Sequence, residues 1–234
     1  MGNAVNIERI YINDRDILQW GARALRDSIK VGGTKVDNDY FQGRNRTHYT
    51  LMQTTFGLKS LEFTLVFSDQ RLNNAMLKKS EFEAEIYGGC EIHLPDGFYY
   101  RSMLTNIGSA KTVGVDGNQV LIEVPYTFSA IQHDKLEIVP DGTSFLAKGT
   151  MPKMDCRLQV TVGANADSYT LGGAVFGSVQ AGDVLVVDGI NKRFLKNGAW
   201  TTANSWVNFP SVTPGQNVIT ALDTVQVEYY PCYI

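Results

Sequence analysis

Cysteine is scarce in this sequence, and the few cysteines are scattered. The three thiols, Cys90, Cys156 and Cys232, lie far apart and form no CxxC pair. An odd and scattered set fits neither a disulfide framework nor a zinc site, and it indicates a reducing compartment. The histidines are also widely separated and show no HxH or HExxH spacing. We therefore expect no metal site.

The motifs of the common enzyme classes are missing as well. The sequence has no GxSxG, and no cysteine has an evident histidine partner, so nucleophilic catalysis has no candidate residues. The motifs GxGxxG and GxxxxGK followed by Ser or Thr are both absent, so the sequence predicts neither of the usual nucleotide-binding loops. These absences predict a non-enzymatic protein without a cofactor.

Charge and long apolar runs are both sparse. Charged residues make up 19% of the chain, and the formal net charge is -3. A nucleic-acid reader would normally carry a basic stripe, so this class is disfavoured. No stretch approaches the roughly eighteen apolar residues of a membrane span. The amino terminus has no apolar run after basic residues, so we predict neither a membrane span nor a signal peptide.

Glycine and turn residues, in contrast, are plentiful and favour strands joined by turns. The 234 residues include 22 glycines, and this length allows two domains of about a hundred residues each. We place a first domain at residues 1–140, a linker at 141–154 and a second domain at 155–234. The linker is assigned where turn and breaker residues are concentrated.

The first domain reads as a β-sandwich with one inserted helix. Residues 49–56 and 59–67 are predicted strands, and the second alternates apolar with polar residues as a half-buried strand does. Ser68 is the predicted N-cap of a helix near residues 69–79, where Leu and Met recur at helical spacing. With hairpins before and after, the domain has roughly eight strands.

Three glutamates alternate with apolar residues after that helix. If residues 81–87 form a strand, Glu81, Glu83 and Glu85 lie on one of its faces. A continuation of the helix is the alternative. Carboxylates that hydrolyse glycosides must face each other across a cleft, so we interpret the row as a solvated strand face.

Residues 30–48 have little hydrophobic periodicity and are too long for a simple connection. They form either a surface loop or a projecting hairpin. In the second case they would be an arm that reaches a neighbouring subunit. Its apolar anchors would be Tyr40 and Phe41, followed by the basic residues Arg44 and Arg46.

The strongest local signals lie in residues 182–233. A short apolar strand is followed by turn chemistry at 188–191, a returning strand and Asn197-Gly198, which predicts two head-to-tail hairpins. A further tight turn is predicted at 214–217, and residues 225–230 alternate as a closing strand. The stretch therefore predicts a small antiparallel β domain.

The order of these signals carries a family resemblance. In sequence they are a GD pair, an apolar strand, a DG turn, a basic strand, NG, FP, PGxN and a terminal VxVxYxPxY. This order resembles the carboxy-terminal domain of one family of phage proteins. This family is the distal tail proteins of long-tailed bacteriophages with flexible, non-contractile tails. The matching residues are Gly182, Asp183, Asp188, Gly189, Asn197, Gly198, Phe209, Pro210, Pro214, Gly215, Asn217, Val225, Val227, Tyr229, Pro231 and Tyr233.

The resemblance implies a mainly β protein and a structural role. The first domain would be a tail-tube-like β-sandwich with its inserted helix, and the second a galectin-like jelly-roll β-sandwich. The protein would form a hexameric ring at the tail tip or baseplate of the virion, after assembly in the cytoplasm of the bacterial host. The ring would join the tail-tube protein to tail-tip and receptor-binding proteins. DNA would pass through without specific binding, and Glu81, Glu83 and Glu85 would form an acidic lumen wall.

Two other classes stay open on the residues alone. A monomeric carbohydrate-binding module would use Trp200 or Trp206 as a stacking platform. We favour core positions for both, because large aromatic residues supply most of the burial in a small β domain. A sugar-processing enzyme would need two facing carboxylates, for which Asp183 and Asp188 are the candidates in the second domain.

Overall fold

The computed structural model describes residues 9–44, 48 and 50–234. The chain divides into two compact units, residues 1–132 with Ile234 and residues 133–233. Strands dominate both units, and no helix of the described chain is long and apolar enough to cross a membrane.

The first unit is one curled antiparallel sheet with a helix packed on it. Its sheet runs in the order β2-β1-β6-β7-β9-β5-β3, with β4 added to β5 and β8 to β9. Single 3-10 turns at Ile17–Trp20 and Arg26–Ser28 flank β3. The elements are β1 (Tyr11–Ile12), β2 (Arg15–Asp16), β3 (Ala22–Ala24), β4 (Lys30–Phe41), β5 (Thr50–Asp69), α1 (Leu72–Ile86), β6 (Cys90–His93), β7 (Tyr99–Ile107), β8 (Lys111–Asp116) and β9 (Gln119–His133).

The long strand β5 is the centre of this unit. The two strands predicted at 49–56 and 59–67 are one continuous strand of 20 residues. From Lys59 to Asp69 it pairs with β9, and its alternate residues Leu61, Phe63, Leu65 and Phe67 are buried. The predicted alternation of the second half is therefore confirmed.

Helix α1 begins later and ends later than predicted. Residues 81–86 continue the helix, so the strand expected at 81–87 is wrong and the helical alternative is correct. Phe82 and Ile86 are four residues apart, so one helical face buries both. Ser68 does not cap the helix, because it is still part of β5. Instead Asp69 accepts hydrogen bonds from the Arg71 amide at 3.3 Å and from Asn74 at 3.1 Å.

The second unit consists of one larger sheet and two separate two-stranded ladders. The sheet order is β10-β20-β12-β15-β16-β17, with β18 on β12, while β11–β19 and β13–β14 pair separately. The strands are β10 (Glu137–Val139), β11 (Phe145–Ala147), β12 (Met154–Thr161), β13 (Ala166–Leu171), β14 (Ala174–Val179), β15 (Val184–Asp188), β16 (Arg193–Lys196), β17 (Ala199–Thr201), β18 (Ser211–Val212), β19 (Gly215–Asn217), β20 (Val225–Tyr229) and β21 (Cys232–Tyr233).

The turn signals at 188–191 and 197–198 formed the expected hairpins, but the tight turn expected at 214–217 is wrong, because Gly215–Asn217 form strand β19 opposite β11. β15 pairs with β16, and β16 pairs with β17 across Asn197 and Gly198, whose φ angles are 52° and 78°. Two successive positive φ values are those of a type I′ turn, which explains the Asn-Gly pair. The closing strand is β20. Residues 141–154, expected to be a linker, lie inside the second unit and contribute β11, and this unit begins at residue 133 rather than 155.

The tight turn before β15 is held by Asp183. Its carboxylate accepts hydrogen bonds from the Gln180 amide and from Asn197 Nδ2, both at 2.8 Å, and its Oδ2 lies 2.9 Å from Lys196 Nζ. These contacts, the Gln180 amide first, lower the pKa of Asp183 to about 2.

We expect Asp183 to make the second unit acid-sensitive. Because its folded pKa lies below the unfolded value, its contribution is present above about pH 4 and is lost as the pH falls toward about 2. Asp183→Asn should lower the melting temperature at pH 7, and the gap to the unmodified protein should close toward pH 2. Melting curves across this pH range measure the gap. Asp167→Asn, at an exposed carboxylate, is the control; a gap that is constant with pH would contradict the prediction.

Candidate interaction surfaces

Residues 30–41 form a strand, so the hairpin alternative for this segment is correct. β4 pairs along β5 from Lys30 opposite Glu62 to Phe41 opposite Thr50. The ladder between β5 and β9 begins only at Lys59. In the described ladders, residues 50–56 therefore pair with β4 alone. We define the arm as the two-stranded part formed by residues 36–41 and 50–56.

The arm exposes apolar side chains that a soluble monomer normally buries. Tyr40 is 57% exposed, Phe41 64%, Leu51 52% and Met52 66%. Tyr40 and Leu51 are direct cross-strand partners and, with Asn38 and Gln42, line a cavity of about 380 Å³ in the described part of the hairpin. A two-stranded ribbon without a core is only marginally stable in water, so this arrangement favours a partner on its surface.

The basic end of the arm is described only in part. Arg44 lies in an exposed turn directly after β4. Arg46, the other basic residue expected there, lies outside the described residues.

The three glutamates after the predicted helix do not form a row. Because they lie on α1 and not on a strand, alternate residues point to different sides of the element. Glu83 is buried and bonds to Lys79 at 2.6 Å and to the Tyr126 hydroxyl at 3.2 Å. Glu85 accepts from Asn13 at 2.9 Å and pairs with Arg15 at 3.2 Å, and Glu81 is exposed. The expected acidic face of Glu81, Glu83 and Glu85 is therefore wrong.

Both tryptophans of the second unit lie at the surface, so the expectation of core positions is wrong. Trp200 is 76% exposed and Trp206 is 50% exposed. They also lie on different sides of β16. Trp200 is the cross-strand partner of Leu195, whereas Trp206 contacts the inward-facing Phe194 with ring centroids 5.2 Å apart. A platform that combines the two rings is thus not formed.

The outward face of the sheet carries two parallel rows of side chains. Cross-strand pairing gives the first row, Trp200, Leu195, Val186, Gln159 and Gln226, and the second row, Arg193, Asp188, Arg157 and Glu228. Val186 and Asp188 are buried, and the apolar core on the other face of the sheet takes alternate residues of the same strands, such as Leu158 and Val187.

The polar members of this face fix one another. Arg157 Nη1 bonds to both Glu228 oxygens at 2.9 and 2.7 Å, and its Nη2 donates to Gln159 Oε1 at 3.0 Å. Arg193 Nε donates to Asp188 Oδ2 at 2.9 Å, and the Arg193 guanidinium lies 5.9 Å from the Trp200 ring. The network joins residues up to 71 positions apart, so the sequence alone could not predict it.

The carboxylates considered for catalysis do not face each other. Asp183 precedes β15 and Asp188 ends it, so they stand at opposite ends of a five-residue strand. Each is occupied by a cation, Asp183 by Lys196 and Asp188 by Arg193. The facing pair that glycoside hydrolysis requires is therefore not formed by these two residues.

Two of the cysteines are buried. Burial raises the pKa of the Cys90 and Cys156 thiols to about 12, which keeps both protonated and unreactive. All three cysteines are free. Within residues 9–44, 48 and 50–234, no cluster of three or more His, Cys, Asp or Glu residues is arranged to hold a metal ion.

Comparison with known proteins finds the same fold in phage tails. No protein-family model matches the chain, and no curated protein matches its sequence. The chain is similar in structure to the SPP1 Dit protein, described as a paradigm of the hub adsorption apparatus in Gram-positive infecting phages. The TM-score is 0.66 with 9% identity, covering 98% of this chain and 100% of that one.

Chains of the phage P2 baseplate in its activated conformation are also similar. The form with Ca gives a TM-score of 0.53 with 13% identity, over 96% of this chain and 98% of that one. The form with Sr gives 0.53 with 14% identity over the same shares. The chain therefore has a mainly β, Dit-like fold, as the sequence resemblance predicted, whereas the galectin-like jelly roll expected for the second domain stays a prediction.

Proposed function

We propose that this chain is a structural subunit of a phage tail tip, where it acts as the hub of the adsorption apparatus. The observation that carries the proposal is the fold match over 98% of this chain and all of the SPP1 hub protein. The exposed apolar side chains of the arm also support it, because such a surface suits a protein that works through contacts with other subunits.

The subunit forms a hexameric ring through its arm. Tyr40 and Phe41 supply apolar area at a two-stranded edge, and covering such an edge with a neighbouring copy removes both the exposed area and the unpaired strand. In the proposed ring, the arm of each copy contacts a different surface of the next copy, and such head-to-tail contacts close into a ring. Arg44, at the tip, adds a cation to this interface.

The ring joins the tail tube to the rest of the tip. Its first units stack on the tail-tube protein, and its second units hold tail-tip, baseplate or receptor-binding proteins in the virion. Assembly takes place in the cytoplasm of the bacterial host, and DNA passes through the ring unbound. A lumen wall made of the three glutamates is not part of this proposal, because Glu83 is buried against Lys79.

Light scattering after size-exclusion chromatography tests the ring, with negative-stain imaging to count its subunits. The unmodified protein should elute with six times the 25.9 kDa mass of one chain. The double variant Tyr40→Ser with Phe41→Ser should elute as a monomer, because it removes the exposed apolar anchors of the arm without touching a buried residue.

The matched control is Asp37→Ser with Asp39→Ser, on the same strand at exposed polar positions, which should keep the ring. Near-ultraviolet circular dichroism shows whether each variant keeps the fold. A chain that stays monomeric at every concentration, or rings that persist in the Tyr40 and Phe41 variant, would refute the arm-mediated ring. A monomer that binds glycans would point instead to a carbohydrate-binding module.

A further inference from the structure

Helix α1 has an uncharged ridge on its exposed side. We define the ridge as four residues spaced four apart, Leu72, Met76, Ser80 and Ala84, all of which are exposed. Leu72 is 47% exposed and Met76 is 44% exposed. We propose that the ridge binds the arm of a second copy of this chain. The inference rests on the proposed ring and names the surface on which each arm lies.

Charged side chains of α1 are directed to its own unit rather than to the ridge. Lys78 Nζ lies 2.7 Å from Asp69 Oδ2, and Lys79 Nζ lies 2.6 Å from Glu83 Oε1. A surface helix ordinarily buries its apolar side and presents its charged side to water. In α1 several charged groups are instead paired along the flanks, while apolar side chains of the ridge are exposed. This distribution favours a partner on the ridge.

A head-to-tail ring requires two different surfaces on each chain, and the arm is only one of them. The ridge is suited to be the second surface because it lies on a firmly held element. Phe82 and Ile86, on the opposite side of α1, are fully buried in the core of the first unit. Leu72 and Met76 are neighbours on the helix surface, so they form one continuous apolar contact. The arm and the ridge together therefore give each copy both halves of a head-to-tail contact.

The two faces of the arm differ in charge, and one of them matches the ridge. Val36, Asn38 and Tyr40 lie on one face of β4, whereas Asp37 and Asp39 lie on the other. The cross-strand partners of the first face are also uncharged and are Phe56, Thr54 and Leu51. When this face lies on the ridge, no unpaired charge is buried, and the two aspartates stay in water.

The sizes and shapes of the two surfaces also agree. Residues 36–41 of the arm extend about 17 Å at about 3.4 Å per strand step. The ridge rises about 18 Å from Leu72 to Ala84 at 1.5 Å per helical residue. The cavity of about 380 Å³ beside Tyr40 is lined by residues of the uncharged face. Met76 can enter it, because a long and unbranched methionine side chain fills irregular gaps.

Two variants that each lack one half of the contact test the inference. The arm variant is Tyr40→Ser with Phe41→Ser, and the ridge variant is Leu72→Ser with Met76→Ser. Light scattering after size-exclusion chromatography should show each variant alone as a monomer. An equal mixture of the two should elute at twice the 25.9 kDa mass of one chain. The ridge variant supplies an intact arm and the arm variant an intact ridge, so one contact forms and the pair cannot extend.

The matched control is Arg71→Ser with Glu81→Ser, at exposed positions beside the ridge, which should keep the ring of six chains. Near-ultraviolet circular dichroism shows whether each variant keeps the fold. The inference is overturned if the ridge variant still forms rings or if the mixture stays monomeric. Rings of the ridge variant would leave the arm-mediated ring standing, with the arm on another surface. An unmodified chain that is monomeric would instead refute the ring itself, and this contact with it.

Discussion

Replacing Phe82 with alanine is expected to destabilise the first unit by about 3–5 kcal/mol, which is the range for truncating a buried aromatic side chain. Phe82 is fully buried, and its ring centroid lies 5.6 Å from that of Trp20, 5.7 Å from Phe67 and 5.3 Å from Tyr126. The side chain therefore joins α1 to both central strands. Its removal leaves a cavity that these rigid rings cannot close.

Trp20 offers a local measurement of this loss. In a background of Trp200→Phe and Trp206→Phe it is the sole tryptophan, so its fluorescence reports the first unit during urea unfolding. Leu77→Ala, at a position on the same helix that is 59% exposed, is the control and should change the free energy of unfolding by about 0.5 kcal/mol or less. A loss below about 1 kcal/mol for Phe82→Ala would contradict the packing described for this core.

The same helix shows where sequence patterns become ambiguous. Residues 81–87 alternate strictly, which predicts a strand, but Phe82 and Ile86 are also four apart, which suits a helix. Packing decides between the two, because α1 can bury Phe82 and Ile86 together over β5 and β9. The periodicity of the sequence carries no information about that tertiary contact, so it could not decide between a strand and a helix.

The arm was hard to predict for the opposite reason. A strand is recognised by one buried and one exposed face, and β4 is exposed along almost its whole length. Its sequence therefore lacks the alternation that revealed the second half of β5. Only the length of the segment and the anchors Tyr40 and Phe41 hinted at a projecting hairpin.

The hairpins of the second unit were predictable because their turns are chemically specific. Asn197 and Gly198 adopt the positive φ angles that these residue types favour, and this fixes β16 against β17. The side on which Trp200 lies was not predictable. β17 has only three residues, too few to show which of its faces is buried.

The second large loss of stability is expected for Asp188, in the hydrogen-bond network next to Trp200. Asp188→Ala should destabilise the second unit by about 2–4 kcal/mol, because it removes a buried carboxylate and leaves a cation without its partner. Asp188 is fully buried at the end of β15, where it accepts from Asn191 and Arg193. The turn between β15 and β16 thus loses several hydrogen bonds at once.

The exposed ion pair next to it provides the control. Lys192 Nζ lies 2.8 Å from Asp155 Oδ2, but these side chains are 52% and 50% exposed. Exposed pairs of this kind contribute about 0–1 kcal/mol, so Asp155→Ala should be nearly neutral. The two variants remove the same chemical group from neighbouring ion pairs and differ mainly in burial.

The destabilisation caused by Asp188→Ala should also depend on pH. Burial alone would raise the pKa of Asp188, but the hydrogen bonds from Asn191 and Arg193 together hold it below its ordinary value. Its contribution is therefore present above the unfolded pKa of about 4 and is lost as the pH falls below that value.

The destabilisation by Asp188→Ala should be confined to the second unit. Hydrogen exchange followed by mass spectrometry should show faster exchange in residues 184–196 and no change in residues 61–67. Equal losses for Asp188→Ala and Asp155→Ala would mean that burial does not set the strength of this pair.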